Sequence, residues 1–428
     1  MALPQAKQDK LAEFCAGLSL SRTGWSAHAR ADALARLSAM GLPDKRDEYW
    51  RYTDPSALTS ADAQPVALFD EADEAPLFEA IDRLKLVFID GVFDAEMSDD
   101  LVLAGVEIDL LSRSSALDIH WARESYASLE AQGQSPVPRP LAALNSAFAS
   151  DGLLIRVTAK ADRPISIVYL TKSTTADAIL HHCIKLEVGA KLTLLENGSG
   201  GARFNTVMEV EVADGASFHH IRAQGRAHQR HAATHIFARL KSAAGFKSFT
   251  VTANGALTRN EAVIDLLGDD AAAHVAGAAV GDGKFLHDDT VFITHAGQRC
   301  ESRQVFKKVL KNGAVGVFQG KILVKQGAQK TDGYQISQSL MLDDDSQFLA
   351  KPELEIYADD VKCSHGSTSG AIDDTALFYL RSRGVPMKDA QSLLVLAFLA
   401  EAIAEIDDDA IAEDIRSRLE GWLARHGG

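Results

Sequence analysis

The sequence predicts a mainly β protein whose central body is a solenoid such as a β-helix, with helical segments at both ends. Between residues 152 and about 357, short runs of alternating or β-branched apolar residues recur roughly every ten to twenty residues. Several breaks between these runs contain an Asp-Gly pair, which is typical of turns. In about the first and last sixty residues, the apolar residues follow helical spacing instead.

The first sixty residues are predicted to form a small helical cap. Leu34, Leu37 and Met40 follow a three-to-four spacing. Ser26 is a candidate N-cap, and Gly41 is a candidate stop signal.

Two segments lead from this cap into the β body. Residues 61–78 are acidic and alanine-rich and contain two prolines, which predicts a linker or an irregular surface segment. Residues 84–93 predict a strand followed by a turn at Asp90-Gly91.

The predicted strands of the β body are short apolar runs. They are residues 153–157, 165–170, 184–188, 192–195, 207–212, 246–251, 291–294, 322–324 and 354–357. A sandwich or barrel usually holds fewer strands, so the choice lies between a solenoid and two stacked β domains. We prefer the solenoid, although no hexapeptide or nonapeptide repeat is visible.

The last sixty residues return to helical spacing. The apolar residues of a helix over 389–406 cover more than one face, so this helix must be buried on at least two sides. A final helix carries Ile411, Ile415, Leu419 and Trp422 at helical spacing. Together they predict a compact helical domain with apolar surface to share.

These elements divide the chain into four predicted parts. They are an N-terminal helical region (1–80), a connecting α/β segment (81–150), a β-helix core (151–370) and a C-terminal helical domain (371–428).

Composition and charge exclude several classes of protein. Hydrophobic residues make up 46% and charged residues 24% of the 428 residues, as in ordinary globular proteins. The net charge of -15 opposes binding to nucleic acid or to an anionic membrane. The longest apolar run, residues 393–400, is too short to cross a bilayer, and the N-terminus lacks the apolar core of a secretory signal.

The four cysteines are Cys15, Cys183, Cys300 and Cys363. They are far apart and form no C-x-x-C pair, so neither a disulfide framework nor an autonomous zinc finger follows. We therefore predict a cytoplasmic protein with reduced thiols.

Cys363 and His365 form the first candidate site. If this segment is a strand, the two side chains share one face, and a thiolate beside an imidazole suits iron or zinc. Two ligands are too few for a closed site, so the others would come from elsewhere, for example a second chain. Asp359 and Asp360 could add ligands or charge. The alternative, which the spacing alone favours, is that Cys363 packs as a small apolar residue and His365 caps the turn at Gly366.

Three further groups of residues are weaker candidates. Five histidines are interpreted mainly as solvated: His219, His220, His228, His231 and His235. A second set resembles metal ligands but equally fits neutral histidines bonded to turns: His287, Asp288, Asp289 and His295. Cys300 has Arg299 and Arg303 nearby, which could lower its thiol pKa, although a packing role is favoured.

The usual motifs of enzymes are missing from the sequence. It contains no G-x-S-x-G elbow, no G-x-x-x-x-G-K-[ST] phosphate loop and no H-E-x-x-H. The glycines of residues 313–320 are better explained by turns, because the residues after them predict a strand rather than a phosphate-binding helix. No nucleotide site is predicted on this chain.

Several long stretches carry a family resemblance. The densest are residues 300–304 (CESRQ), 316–321 (GVFQGK), 328–333 (AQKTDG), 351–366 (KPELEIYADDVKCSHG) and 377–384 (LFYLRSRG), with weaker similarity at 41–53, 87–91 and 143–148. On these residues the chain resembles the SufB/SufD family of the SUF iron–sulfur cluster assembly machinery. Cys363-Ser-His-Gly in place of the Cys-Glu-His typical of SufB favours the SufD branch, whereas Ser367 and Ser369 depart from the small apolar residues often found there.

The resemblance implies a right-handed parallel β-helix core with helical N- and C-terminal domains, and a scaffold rather than an enzyme. It implies pairing with SufB through the β-helices, and docking of the SufC ATPase on the C-terminal helical domain. By the same resemblance, His365 and Cys363 match partner-facing positions of cluster formation, where iron or an iron–sulfur cluster would be held transiently and shared with SufB.

Two other functions remain open at this point. One is a carbohydrate-active β-helix enzyme with paired carboxylates at Asp288 and Asp289 or at Asp359 and Asp360, although adjacent strand residues face opposite ways. The other is a homodimeric metal-binding protein. The scaffold itself could also form a homodimer.

Overall fold

The computed structural model describes residues 3–68, 76–225 and 229–426. The helices of the described residues are α1 (Gln5–Cys15), α2 (Ala27–Met40), α3 (Leu111–Ser114), α4 (Ser128–Gln132), α5 (Pro140–Phe148), α6 (Asp374–Ser382), α7 (Met387–Ile403) and α8 (Asp409–His426). The strands are β1 (Leu84–Ile89), β2 (Val92–Asp94), β3 (Val106–Leu110), β4 (Leu153–Val157), β5 (Ile165–Leu170), β6 (Asp177–Leu186), β7 (Lys191–Gly198), β8 (Arg203–Val212), β9 (Ser217–Gln224), β10 (His231–Leu240), β11 (Gly245–Ala253), β12 (Leu257–Leu266), β13 (Ala272–Asp282), β14 (Leu286–His295), β15 (Glu301–Lys311), β16 (Val315–Val324), β17 (Asp332–Met341), β18 (Gln347–Ile356) and β19 (Lys362–Gly370).

The strands from β4 onward form a parallel solenoid with two faces. Odd-numbered strands stack in one sheet, which ends at β19, and even-numbered strands stack in the other, which ends at β18. Neighbouring strands pair in parallel through this body, for example β10 with β12 and β12 with β14. The predicted β-helix is therefore confirmed, and the alternative of two stacked β domains is wrong.

The turns of the solenoid are long, and their length differs from one turn to the next. His231 pairs with Leu257, Leu257 with Leu286, Leu286 with Val315 and Val315 with Gln347. Because each turn contains two strands and two connections of differing length, no short repeat appears in the sequence.

The solenoid interior has an apolar side and a polar side. Ile264, Ile293 and Ile322 belong to the apolar side and are almost fully buried. On the polar side, Glu196 accepts hydrogen bonds from Arg222 Nε (2.9 Å) and Nη2 (2.6 Å). Burial alone would raise the pKa of Glu196, but Arg222 and His220 bring it well below its ordinary value. This buried carboxylate is therefore paired with a buried counter-charge.

The outer faces of the two sheets are covered by different helices. Helix α5 packs on β6 and β8, and α2 packs on α5. Gly41 ends α2 with a φ of 71°, as predicted, but Ser26 makes no capping hydrogen bond and instead accepts one from Arg30 Nε (3.2 Å). Residues 61–68 lie outside helices and strands, as expected of a linker, and the rest of the acidic stretch up to residue 75 is outside the described residues.

The C-terminal helices cover the other sheet. Helix α7 packs on β13 and β15 on one side and on α8 on another, so its burial on two sides is confirmed. It starts at Met387, after Pro386, rather than at Asp389. Three large apolar side chains stay exposed on these helices, Phe378 (74%) and Tyr379 (54%) on α6 and Leu393 (50%) on α7. No helix in the described part of the chain is long and apolar enough to span a membrane.

The buried pair of Glu196 and Arg222 generates a stability prediction. Arg222→Met would leave a buried carboxylate without its main counter-charge, and we expect the free energy of unfolding to fall by about 3–5 kcal/mol. The exposed pair of Arg163 and Asp82 is the control, and Arg163→Met should cost about 1 kcal/mol or less. Urea unfolding measures both. Equal effects of the two substitutions would contradict a stabilising role for the interior pair.

Candidate functional site

The candidate site lies at the open end of the solenoid. Strand β19 pairs in parallel with β17, and no strand of the described residues pairs with its other edge. Strand β18 is likewise the last strand of its sheet. The final turn therefore presents unpaired backbone groups, and its inward-facing side chains have no further turn to cover them.

Cys363 and His365 share the inward face of β19. In the register of the sheet Cys363 lies beside Gly333, and His365 lies beside Gln335. Ser367 is on the same face and contacts Ser337 Oγ of the preceding turn at 3.2 Å. The predicted strand geometry, with thiol and imidazole on one face, is what the structure shows.

Cys363 is half-buried and packs against the last apolar cluster, which includes Ile322 and Ala358. Burial raises the pKa of its thiol. In the isolated chain Cys363 therefore behaves as the packing residue of the alternative interpretation, although a bound metal would itself favour the thiolate.

His365 is exposed and lies in the middle of β19, as does Gly366. The alternative in which this histidine caps a turn at Gly366 is therefore wrong. An exposed imidazole on an edge strand can bind a metal as its neutral form.

Asp359 and Asp360 are exposed and lie in the bend before β19. The backbone N–H of Asp360 donates to Gln329 Oε1 (3.0 Å), and its carbonyl oxygen accepts from Lys330 N (2.6 Å). They belong to the stacked turns rather than to the strand face that carries Cys363 and His365.

The carboxylates of Asp288 and Asp289 face opposite sides of β14. Asp288 accepts from Thr53 Oγ1 (2.5 Å) and from Arg259 outside the solenoid. Asp289 accepts from Lys308 Nζ (2.7 Å) in the interior. Neither is available to a ligand, and the pair cannot flank one glycosidic bond.

The histidines that were interpreted as solvated are mostly buried, so that interpretation is wrong. His220 points inward, with Nε2 at 2.6 Å from Glu196 Oε2, and His219 points outward and is 8% exposed. His235 lies under the N-terminal helices with Nδ1 at 3.2 Å from the Thr206 carbonyl oxygen. His231 is partly buried, and His228 lies outside the described residues. The physical reason is that helices cover the outer faces that carry His219 and His235, whereas His220 lies inside the solenoid.

The set from His287 to His295 does not converge on one point. Nδ1 of His287 lies 3.0 Å from Lys308 Nζ, whereas Nε2 of His295 lies 2.8 Å from Ser302 Oγ. These contacts fit the interpretation as neutral bonded histidines.

Cys300 is buried, and burial raises the pKa of its thiol. This fits the favoured packing role, and the less favoured lowering by nearby arginines does not prevail, because Arg299 is held by Asp269 and Asp270.

One cluster escaped sequence reasoning. Ligand-type atoms of His181, Cys183 and Glu209 lie within 4.8 Å of one another, and all three residues are buried. Glu209 accepts hydrogen bonds from Ala127 N (2.6 Å) and Glu130 N (2.8 Å), and His181 Nε2 lies 2.8 Å from its carboxylate. The cluster thus anchors α4 on the solenoid. Its only sequence signal is the His-x-Cys spacing, the reverse of Cys363-x-His365.

The chain matches two family models over most of its length. A model described as the SufBD core domain of SUF-system FeS cluster assembly matches residues 169–398. A model described as the SufBD protein N-terminal region matches residues 21–167.

Individual relatives are similar along nearly the whole chain. Iron-sulfur cluster assembly protein SufD of Escherichia coli is 28% identical over 90% of this chain and 90% of its own length. An iron-sulfur cluster assembly SufBD family protein of Synechocystis, slr0076, is 29% identical over 88% and 86%. Protein ABCI7, chloroplastic, of Arabidopsis thaliana is 24% identical over 92% and 85%.

The buried histidines generate a pH prediction. Burial lowers the pKa of His182, His219, His235 and His295 to about 4, and that of His287 to about 3. The unfolded chain binds these protons from pH ~6.5 downward, whereas the folded chain does not. The free energy of unfolding should therefore keep its full value above pH ~6.5. Below that pH it should fall by ~1.4 kcal/mol per histidine per pH unit towards pH 4.

Urea unfolding between pH 7.5 and pH 4.5 measures this slope. His235→Gln should make the slope shallower, whereas His28→Gln, at an exposed position, should leave it unchanged. A stability that does not vary with pH over this range would contradict neutral burial of these imidazoles.

Proposed function

The chain belongs to the SufB/SufD family of iron–sulfur cluster assembly proteins, and on that basis we propose that it is a scaffold subunit of the SUF complex and not an enzyme. The observation that carries the proposal is the position of Cys363 and His365 on the inward face of β19, the strand whose outer edge is open. A scaffold of this kind offers part of a site and leaves its completion to a partner. The cytoplasmic location stays a prediction.

SufB is the proposed partner at the open end. Edge strands with unpaired N–H and carbonyl groups accept a strand from another chain, and β18 and β19 present two such edges side by side. A second copy of this chain could use the same edges in a two-fold homodimer, which would compete with SufB.

Iron or a nascent iron–sulfur cluster is the proposed cargo of this interface. His365 would supply a neutral imidazole nitrogen, and Cys363 would supply a thiolate once the metal has displaced its proton. A tetrahedral iron site needs about four ligands, so two or more must come from SufB. The cargo is therefore shared and transient.

SufC is the proposed partner of the C-terminal helices. Phe378 and Tyr379 of α6 and Leu393 of α7 are large apolar side chains that stay mostly exposed. Exposed apolar surface of this kind marks protein interaction sites. The sequence carries no phosphate loop, so we propose that SufC brings the nucleotide and that no nucleotide binds this chain.

His365→Ala tests the cluster site. The substitution removes a ligand from an exposed position, so folding and association with SufB and SufC should be unchanged while cluster content falls sharply. Cys363→Ala should be as damaging if the thiol is a ligand and milder if it only packs. The measurement is iron and acid-labile sulfide per complex after anaerobic purification.

The control is His28→Ala, which removes an exposed imidazole far from β19. Normal cluster content in His365→Ala would show that this histidine is not a ligand. The assignment of the site would then be wrong.

Charged substitutions test the SufC surface. Phe378→Asp and Leu393→Asp place a carboxylate at an exposed apolar position without opening a core, and each should weaken SufC binding at least tenfold, as expected for hot-spot residues. Val102→Asp, at another exposed apolar position, is the matched control. Binding is measured by titration of SufC. Unchanged affinity in both variants would contradict docking on α6 and α7.

A further inference from the structure

Two glutamines form a column directly beneath His365. In the register of the odd-numbered sheet His365 pairs with Gln335 of β17, and Gln335 pairs with Gln304 of β15. Both glutamines are 0% exposed. The next position down the column is Val275, which ends the polar run.

Neither amide has a hydrogen-bond partner among the described residues. The amide nitrogen and oxygen of Gln304, and those of Gln335, are all buried and unsatisfied. A buried polar atom without a partner destabilises the folded state, and four such atoms lie in this one column. A native protein does not keep such groups without a use for them.

The space around Gln335 is shaped for its amide. A side chain at position 320 would collide with Gln335 Nε2, so the amide rests against the backbone of Gly320 on the opposite sheet. The glycine on one sheet and the glutamine on the other are complementary in size. No polar group of the opposite sheet, among the described residues, forms a hydrogen bond with the Gln335 amide.

Stacked strands place candidate partners for these amides in register next to them. Residues in register on neighbouring strands lie about 4.8 Å apart, a spacing at which glutamine amides bond to one another as ladders. The terminal amide torsion is soft, so rotation about the last side-chain bond is enough to align the groups. The position next to Gln335 on the last strand carries the imidazole of His365 rather than a third amide.

We propose that Gln335 is a positioning residue for His365, whose ring N–H donates to Gln335 Oε1 so that the other ring nitrogen offers its lone pair to iron. Gln335 Nε2 then donates to Gln304 Oε1, which fixes the direction of the ladder. The reverse direction, with Nε2 facing the ring, would place the imidazole proton on the outward nitrogen and block a metal. Metal-binding histidines are commonly held through their second nitrogen in this way.

The role towards iron rests on the proposed function, whereas the hydrogen bond itself does not. The two can therefore be measured separately, first in the isolated chain without metal and then in the complex.

Histidine nitrogen NMR of the isolated, 15N-labelled chain at pH 8 tests the hydrogen bond. The signals of His365 are identified by their loss in His365→Ala. In the unsubstituted chain, His365 should show the signals of a single neutral tautomer. Gln335→Met keeps the side-chain volume and removes the acceptor. In this variant His365 should show the averaged signals that it gives in the chain unfolded by urea. Gln335→Glu keeps an acceptor oxygen and should restore the single tautomer.

The control is Gln338→Met, on the opposite face of the same strand, which should leave His365 unchanged. Averaged His365 signals in the unsubstituted chain, or a single tautomer that survives Gln335→Met, would overturn the proposal. The dispersion of the other histidine signals shows whether each variant is folded. If Gln335→Met does not fold, Gln304→Met repeats the test one strand lower.

In the anaerobically purified complex, Gln335→Met should lower iron and sulfide content at least tenfold, as is usual for loss of a residue that orients a metal ligand. If His365→Ala retains normal content, the cluster site fails, while the NMR result still decides the hydrogen bond. If Gln335→Met retains normal content while His365→Ala loses it, positioning towards iron is overturned.

Discussion

In-register parallel stacking of the solenoid strands is the constraint on which the rest of this structure depends. Once β10 pairs with β12 and β12 with β14 without a slip, every side chain lies directly above its counterpart one turn below. A charged residue placed inward is then confined to a column and must find its counter-charge in the same or an adjacent turn. Glu196 with Arg222, and Asp289 with Lys308, meet this requirement. The polar side of the interior is thus a product of stacking, and it is tolerable only because the charges are paired.

Stacking also explains why chemistry concentrates at the end of the body. His181 and Cys183 have nearly the same spacing as Cys363 and His365, and both pairs lie on one face of a strand. On the outer face of β6, however, Glu209 and α4 close over the first pair and use up its hydrogen bonds. The second pair faces inward on β19, where no further turn of the described residues closes over it, so the same chemical groups remain available to a ligand. Cover by neighbouring elements, more than residue type, separates an anchor from a site.

Sequence reasoning reached the fold class, the strand face of Cys363 and His365 and the apolar α7, because each depends on local periodicity. It did not reach the burial of His219 and His235, since the helices that cover them lie far away in the sequence. The burial of Cys300 fits the packing role that the sequence favoured, and the guanidinium of the adjacent Arg299 is bound to Asp269 and Asp270. The glutamine column beneath His365 could not be seen either, because its members are about thirty residues apart and meet only through the register of the sheet.

An incomplete site is what a transient cargo requires. A closed set of four protein ligands holds its metal with a binding free energy of order 10 kcal/mol or more, and such a metal becomes part of the fold. Two ligands on an open strand edge cannot hold iron that tightly, so under the proposed function retention would depend on the partner strand and would end when the interface opens. The cost of this arrangement is that the ligands must be oriented before the partner arrives, because an exposed imidazole is otherwise free to rotate and to exchange its proton between nitrogens. A solenoid that carries His365 above buried amides would meet this need under our proposal, since the orientation would be set by the stack beneath the site and not by the metal.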